Sequence, residues 1–395
     1  MTAGRLLASV RADGRPVLHA EHLGRYGPLP ANADLIATTI SSGLKGRGGG
    51  AFPTGQKLSA VAQQRGRPVI LVNGAEGEPA SKKDKALLAC VPHLVLDGAA
   101  VAAAALGARE VVVAVSREAR MERDALTAAL RERRGPVRWR LAAVAGGFVS
   151  GEETALLSAL DGGNGTPAVK PPHPFQAGLA GAPTLVQNVE TLAQLALVAR
   201  YGADWFRSVG TALDPGTALV TLSGSVARPG VYEVELGTSI GELVARAGGA
   251  TEPLEAFLVG GYFGTWTRDA ELRLSSETGL GAGVVVAFPE SACGLRESAR
   301  VARYLAEESA GQCGPCVHGL AALARGLEGL VAGTDGDRPR LARWAAEVAG
   351  RGACRHPDGA AGFISSSLAV FEQETDDHLR GRCGRRDRGI LPVAA

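Results

Sequence analysis

Twelve residues from Gly46 to Lys57, GRGGGAFPTGQK, include five glycines. Backbone this bare can pass close to a ligand and aim successive N–H groups at phosphate oxygens, with Arg47 and Lys57 beside it to balance the charge. A glycine-rich surface turn would read the same way. A nucleotide P-loop would not, because the stretch lacks the Gly-Lys-Ser/Thr ending that supplies the phosphate lysine and the magnesium hydroxyl. Two further stretches carry polar groups. VNGAEGEPASKKDKA (72–86) offers Asn73, Glu76 and Glu78 directly after an apolar run, and GGFVSGEETALLSAL (146–160) offers the adjacent pair Glu152 and Glu153 after another glycine turn. One Glu pair alone reads as a solvated helix start. Carboxylates beside a phosphate-type loop suit a dinucleotide, whose ribose hydroxyls and carboxamide need acceptors. A third kind of chemistry lies far downstream, where Cys313, Cys316 and Cys354 fall within one short region. That usage fits an intracellular metal site better than a secreted disulfide frame.

These residues need elements to position them. From about 30 to 208, extended apolar segments alternate with helical ones: PVILVNG (68–74), a helix through ALLACVPHLVLDGAAVAAAALG, EVVVAV (110–115), a charged helix through SREARMERDALTAALRER, and a strand near VRWRLAAV. The alternation predicts a wound α/β sheet with ligand groups at the carboxyl ends of its strands. Past Asp214 and Pro215 come the β-rich pieces ALVTLSGSV, GVYEVEL, FLVGGYFGTW and GVVVAF around one short helix, SIGELVARAG, a small α+β module over 216–290 with no cluster of catalytic residue types. From 291 to 385 four apolar stripes at helical spacing predict a small helical bundle: Val301, Tyr304, Leu305; Leu320, Leu323, Leu327, Leu330; Leu341, Trp344, Val348; Ile364, Leu368, Phe371. A short arm (1–29), a loop over 335–339 and a tail (386–395) complete the expected division. Cys90, inside the Ala-rich helix, reads as core.

Composition excludes several classes. With 42 Lys and Arg against 40 Asp and Glu, the formal charge of +2 gives no reason to expect nucleic acid or an anionic membrane as partner. Arg5 and Arg11 interrupt the N-terminal segment before a signal-peptide core can form, and the apolar run from Gly98 to Gly107 is about half a membrane span. The expected location is the cytoplasm, peripheral to a membrane only through partners.

GRGGGAFPTGQK, NGAEGEPASKKD, SGEETALLSALDG, KPPHPFQAGLAGAPTLVQNVETLA and AGQCGPC stand in the order found in the NADH-binding flavoprotein subunit of respiratory complex I, a module shared with NAD-linked hydrogenases and formate dehydrogenases. From about 35 to 380 this chain resembles that family. The resemblance implies a Rossmann-like FMN and NADH domain, a ubiquitin-like β-grasp domain of the soluble-ligand-binding type, and a C-terminal four-helix domain holding a 4Fe–4S cluster. It implies that Gly46, Arg47, Gly48 and Lys57 cradle the FMN phosphate and ring region, with Asn73, Gly151, Glu152 and Asn188 completing the flavin site. Phe52 would stack on the nicotinamide nucleotide, and Glu78, Glu153 and Lys170 would orient it. The implied activity is an NAD(P)H dehydrogenase: hydride passes to the flavin, then single electrons leave through iron–sulfur. The acceptor would be a ferredoxin-like or other iron–sulfur subunit, or a quinone-reducing membrane partner. None of these side chains needs to be a proton-transfer catalyst.

The chain also departs from the family pattern. Ala75 replaces an Asp, Gln187 an Asn, Phe148 a Tyr, and Ala60 and His173 stand at two aromatic positions. Ala310 replaces the first cysteine of Ser-Cys-Gly-x-Cys-x-Pro-Cys, leaving three thiols where a cubane takes four ligands. Cys293 or Cys383 could supply the fourth, the unique iron could take water or a small molecule, or the cluster could be absent. A zinc site of Cys313, Cys316, Cys354 and His318 or another residue is the non-redox alternative. The opposing functional reading is a non-catalytic relay or assembly subunit that no longer takes nicotinamide.

Overall fold

The computed structural model describes residues 4–30, 34–334 and 336–393. They fall into two compact units. The first comprises the chain to Gly77, Lys82–Leu219 and Glu233–Gly237; the second comprises Glu78–Ser81, Val220–Tyr232 and the chain from Thr238 on.

In the first unit the order is α1 (His19–Tyr26), α2 (Leu35–Ser42), α3 (Thr54–Ala62), β1 (Val69–Gly74), α4 (Lys83–Cys90), α5 (Pro92–Leu106), β2 (Glu110–Ser116), α6 (Arg120–Glu132), β3 (Arg138–Val144), α7 (Glu153–Leu160), β4 (Thr184–Asn188) and α8 (Val189–Arg207). The four strands form a parallel sheet in the order β3-β2-β1-β4. Strands β1 and β2 read as near-continuous apolar runs because both faces are covered. Val69, Leu71, Val112 and Ala114 share a core with Leu156 and Leu157 of α7. By strand alternation Ile70 and Val72 point to the other face, and α5 and α8 pack on β1. Each fully buried Val or Leu contributes roughly 1.5–3 kcal/mol. The α5–α8 crossing needs Gly98, where a Cβ would come within 1.8 Å of the Leu192 carbonyl oxygen.

The single helix expected through 86–107 is two. Pro92 opens α5, and a proline excludes the preceding residue from helical geometry. Val91 accordingly sits at φ −131°, ψ 49°, and the axes of α4 and α5 bend by 94°. Among the described residues, no single helix is long and apolar enough to cross a membrane.

The remaining elements are β5 (Thr217–Gly224), β6 (Gly230–Glu235), α9 (Ile240–Arg246), β7 (Leu254–Val259), β8 (Thr265–Thr267), β9 (Val284–Pro289), α10 (Gly294–Glu307), α11 (Ala321–Ala332), α12 (Arg338–Val348), α13 (His356–Val370) and α14 (Glu372–Leu379). The sheet runs β6-β5-β9-β7-β8, with β5 parallel and β7 antiparallel to β9. The β module and the helices share one aromatic core: Trp266 of β8 meets Phe288 of β9 at 5.2 Å and Phe371, just past α13, at 4.9 Å between ring centroids. The four expected stripes lie on α10–α13 or the turns at their ends, and α14 is an additional helix whose sequence, EQETDDHL, has no apolar stripe. Of the loop expected over 335–339, Asp335 lies outside the described residues, while Arg338 and Pro339 already belong to α12. The expected tail is anchored, since Arg386 exchanges backbone hydrogen bonds with Ser291 and Cys293 and Leu391 is fully buried; residues 394–395 lie outside the described residues.

Candidate functional site

The carboxyl ends of β1 and β4 lie side by side, with Asn73 directly opposite Asn188. Asn73 donates from Nδ2 to the Gly151 carbonyl at 2.8 Å, and its Oδ1 accepts from Ala75 N–H at 3.2 Å, so it ties β1 to the turn before α7. The approach is close enough that a Cβ on Gly151 would lie 2.4 Å from the Ala75 oxygen. Asn188 caps α8 by accepting from Glu190 N–H at 2.9 Å and donates from Nδ2 to Asp84 at 2.6 Å.

The glycine loop is pinned at its base. Lys45 and Pro53 form a bridge, Gly46 N–H donates to the Phe52 carbonyl at 2.8 Å, and Arg47 N–H donates to Thr191 Oγ1 at 2.8 Å. A Cβ on Gly48 would lie 3.2 Å from that of Asn188, whereas nothing lies within 4 Å of a Cβ built on Gly50. The loop therefore arrives at the β1–β4 ends with its tip open, and Phe52 is 55% exposed.

Arg47 points inward. Its Nη2 donates to the Thr217 carbonyl at 3.1 Å and its Nε lies 3.9 Å from Glu190, without a hydrogen-bond partner among the described residues. Burial pushes this guanidinium below its ordinary value, with Glu190 and Asp214 opposing. Lys83 sits 2.9 Å from Glu190 and 2.8 Å from Asp84. Burial disfavours the Lys83 ammonium, but Asp84 and Glu190 outweigh it and hold its pKa above the ordinary value. Arg47, Glu190, Lys83 and Asp84 thus form a buried run of alternating charge behind the loop. Reading the sequence does not single out Lys83, Asp84 and Glu190; only the fold shows the three buried side by side.

Glu152 caps α7, accepting from Thr154 N–H at 2.7 Å and Ala155 N–H at 2.9 Å. Glu153 lies between two ammonium groups, 3.2 Å from Lys57 and 2.5 Å from Lys170. Burial would raise its pKa; Lys57 and Lys170 prevail and hold it below the usual carboxylate range. Gly46, Arg47, Gly48, Lys57, Asn73, Gly151, Glu152, Glu153, Lys170 and Asn188 are therefore linked by direct contacts, strand register or chain adjacency. Glu78 is placed otherwise. It belongs to the second unit, where its carboxylate accepts from Ala80 N–H at 3.0 Å and Tyr262 N–H at 2.7 Å. Among the replaced positions, Ala75 is buried and His173 stacks on Phe175 at 5.3 Å.

In the second unit Cys313 and Cys316 shift each other's thiol pKa, and Cys354 acts on Cys316 electrostatically. Burial, reinforced by Cys313, pushes the Cys316 thiol up to about 12. For Cys313 burial is outweighed by backbone N–H groups of Ala353 and Cys316, and its pKa falls. Among the described residues these three sulfurs do not form a set within 4.8 Å of one another; as thiols they are soft donors of the kind that suits iron–sulfur or zinc. His318 is exposed on the π-helical turn Pro315–Leu320. The expectation that Cys293 or Cys383 completes this set is corrected by the fold. Cys293 caps the N-terminus of the 14-residue α10, a helix about 21 Å long. His356, two residues past Cys354, reaches the Leu305 carbonyl at the other end. Cys383 lies with Cys293, at 3.9 Å between sulfurs.

A pinned glycine loop at paired strand ends can approach a phosphate-bearing cofactor, and thiols in a helical region can hold a soft metal centre; the family matches say which class of redox protein this is. Residues 40–197 match the family described as Nuo51 FMN-binding domain, 219–261 the SLBB domain, and 296–378 the NADH-ubiquinone oxidoreductase-F iron-sulfur binding region. The chain is 35% identical to the F subunit of the NADH-quinone oxidoreductase of Streptomyces coelicolor over 92% of this chain and 88% of that one. It is 33% identical to the F 2 subunit of the corresponding Rhizobium meliloti enzyme over 96% of each. It is also similar to a chain in the crystal structure of an NAD+-reducing NiFe hydrogenase in the H2-reduced state. There the TM-score is 0.84 at 31% identity, covering 95% of this chain and 66% of that one. The chain belongs to the family of NADH-quinone oxidoreductase F subunits.

Proposed function

We propose that the chain is an NADH-oxidising electron-input subunit that holds FMN and iron–sulfur and works within a larger complex. The observation that carries this reading is the contact-linked set at the β1 and β4 ends, with the glycine loop open above it. When bound, FMN supplies the conversion between two-electron and one-electron chemistry, and iron–sulfur the one-electron exit. Gly46 and Gly48 let the backbone approach the flavin phosphate, with Lys57 as the nearby cation. Asn73, Gly151, Glu152 and Asn188 line the flavin. Arg47 would act from behind, fixing the loop through Thr217 and Glu190, so that its role is positioning. Phe52 offers a ring face to the nicotinamide nucleotide, and Glu153 with Lys170 offers an acceptor and a donor to its polar groups. Glu78 would serve by shaping the 78–81 loop that its carboxylate holds. Cys313, Cys316 and Cys354 would hold iron–sulfur, with the place of Ala310 filled from outside the family's cysteine set.

The division we propose is an N-terminal arm (1–29), a Rossmann-like FMN and NADH domain (30–208), a β-grasp domain (216–290), a four-helix iron–sulfur domain (291–385) and a tail. A partner iron–sulfur subunit takes the electrons, and any membrane association runs through partners. An anaerobic absorption spectrum of protein purified with its iron, taken before and after NADH and then NADPH, tests the reading. We expect flavin bands that bleach while the broad iron–sulfur absorbance falls. Flavin-free protein that responds to neither nucleotide would favour the docking-subunit reading, which Ala75 and Ala310 support.

A further inference from the structure

A second cluster of metal-binding residue types lies apart from the three family-spaced thiols. Cys293 Sγ, His378 Nε2 and Cys383 Sγ all lie within 4.8 Å of one another. Cys293 is fully buried and His378 nearly so. The Cys293 sulfur is 3.2 Å from His378 Nε2 and 3.9 Å from the Cys383 sulfur. Two thiolates on one tetrahedral zinc, each at about 2.3 Å, would stand about 3.8 Å apart. The cysteines are already at that separation without a bond between them.

The histidine is oriented for ligation. His378 Nδ1 lies 2.7 Å from the Val331 carbonyl, an acceptor only, so Nδ1 carries the proton and Nε2 presents its lone pair toward Cys293. A backbone carbonyl on the far ring nitrogen is the usual support for a metal-bound imidazole. Glu374 Oε2 is 3.2 Å from the Cys293 sulfur while also accepting from Leu295 N–H at 3.0 Å, and Arg385 holds its other oxygen at 2.9 Å. The carboxylate thus borders the fourth position. Cys293 and Cys383 fall outside the residues that match the iron–sulfur family, 296–378.

We propose that Cys293, His378 and Cys383 bind one zinc-type divalent ion, with Glu374 or a water in the fourth position. The two thiols release their protons on binding, and no oxidant or reductant is needed. The ion fastens the segment from Cys383 to Arg386 onto the start of α10, where Cys293 N–H already donates to the Arg386 carbonyl at 2.9 Å. The ligand set of two sulfurs and one nitrogen favours zinc over the oxygen-seeking ions.

The test is elemental analysis of the whole, cofactor-loaded protein and of Cys383→Ser and His378→Gln. We expect about one zinc per chain besides the iron, lost at least tenfold in each variant while iron and flavin stay unchanged. Cobalt added to chelator-treated protein should give thiolate charge-transfer absorption that Cys383→Ser lacks. Protein without stoichiometric zinc, zinc retained in Cys383→Ser, or a Cys293–Cys383 disulfide found by mass spectrometry would each overturn the proposal.

Discussion

At the carboxyl ends of β1 and β4, charged and amide side chains tie loops, strands and helix starts together, whereas in the second unit the contacts of Cys293 run through a weakly bonding sulfur, to Glu374, His378 and Cys383. Asn188 caps a helix and reaches Asp84, Asn73 ties a strand to a turn, and Glu153 joins two lysines. These contacts join the site to the rest of the unit, and its charged hydrogen bonds are part of what stabilises the fold. Thiols are weak hydrogen-bond donors and acceptors. The sulfur contacts around Cys316 and Cys293 therefore add little by themselves, and on the proposals above they would gain strength on binding metal. The comparison separates a site whose own charged contacts stabilise the fold from thiol clusters whose contribution would depend on a bound metal.

The largest test of that contrast is Lys83→Met, which leaves Glu190 and Asp84 buried without their shared cation. We expect a loss of about 3–5 kcal/mol in urea unfolding; a loss below about 1 kcal/mol would mean that the buried run is not part of the stabilising framework. Asn188→Ala removes a helix cap and the Asp84 bond together and should cost about 1–2 kcal/mol, with weaker FMN retention on a desalting column. Acid provides a smaller test. Because Lys57 and Lys170 depress the Glu153 pKa below 4.5, the pairing stabilises above that pH and is lost as pH falls through the lower folded value. With its side chain a quarter exposed, the contribution should stay below about 1 kcal/mol, and Glu153→Gln should flatten that part of the pH–stability curve. The smallest stability change, within about 0.5 kcal/mol, is expected for Ala310→Cys. Its value is in iron: retention after air exposure should rise, and unchanged retention would count against an open ligand position at Ala310.

Strands β1 and β2 were legible because continuous apolar runs suit a sheet covered on both faces, and two of the site loops because Asn and Glu stand at or beyond the ends of β1 and β3; β4, Thr184–Asn188, is not among the strands expected from sequence. The break between α4 and α5 was also available, at Pro92, but the apolar run across it conceals the turn. Helix α14 was not available from periodicity: its buried residues are Glu374, Thr375 and His378, buried by polar contacts that no apolar stripe announces. The same holds for the inward turn of Arg47, since sequence shows a cation beside a glycine loop and only the fold supplies Glu190 and Thr217 on its inner side. Cys313 and Cys316 declare themselves by spacing. Cys293 and Cys383 are 90 residues apart and meet only because the segment after α14 returns to the start of α10.

That return also orders events in time. Glu297 holds the N–H groups of Ile390 and Leu391, and Arg300 donates to the Leu391 carbonyl at 2.6 Å. During synthesis the parallel sheet can close early, because its strands end at Asn188. The hydrogen bonds of Glu297 and Arg300 to residues 390 and 391 can form only once that late segment exists, so this edge of α10 is the last part of the second unit to be completed.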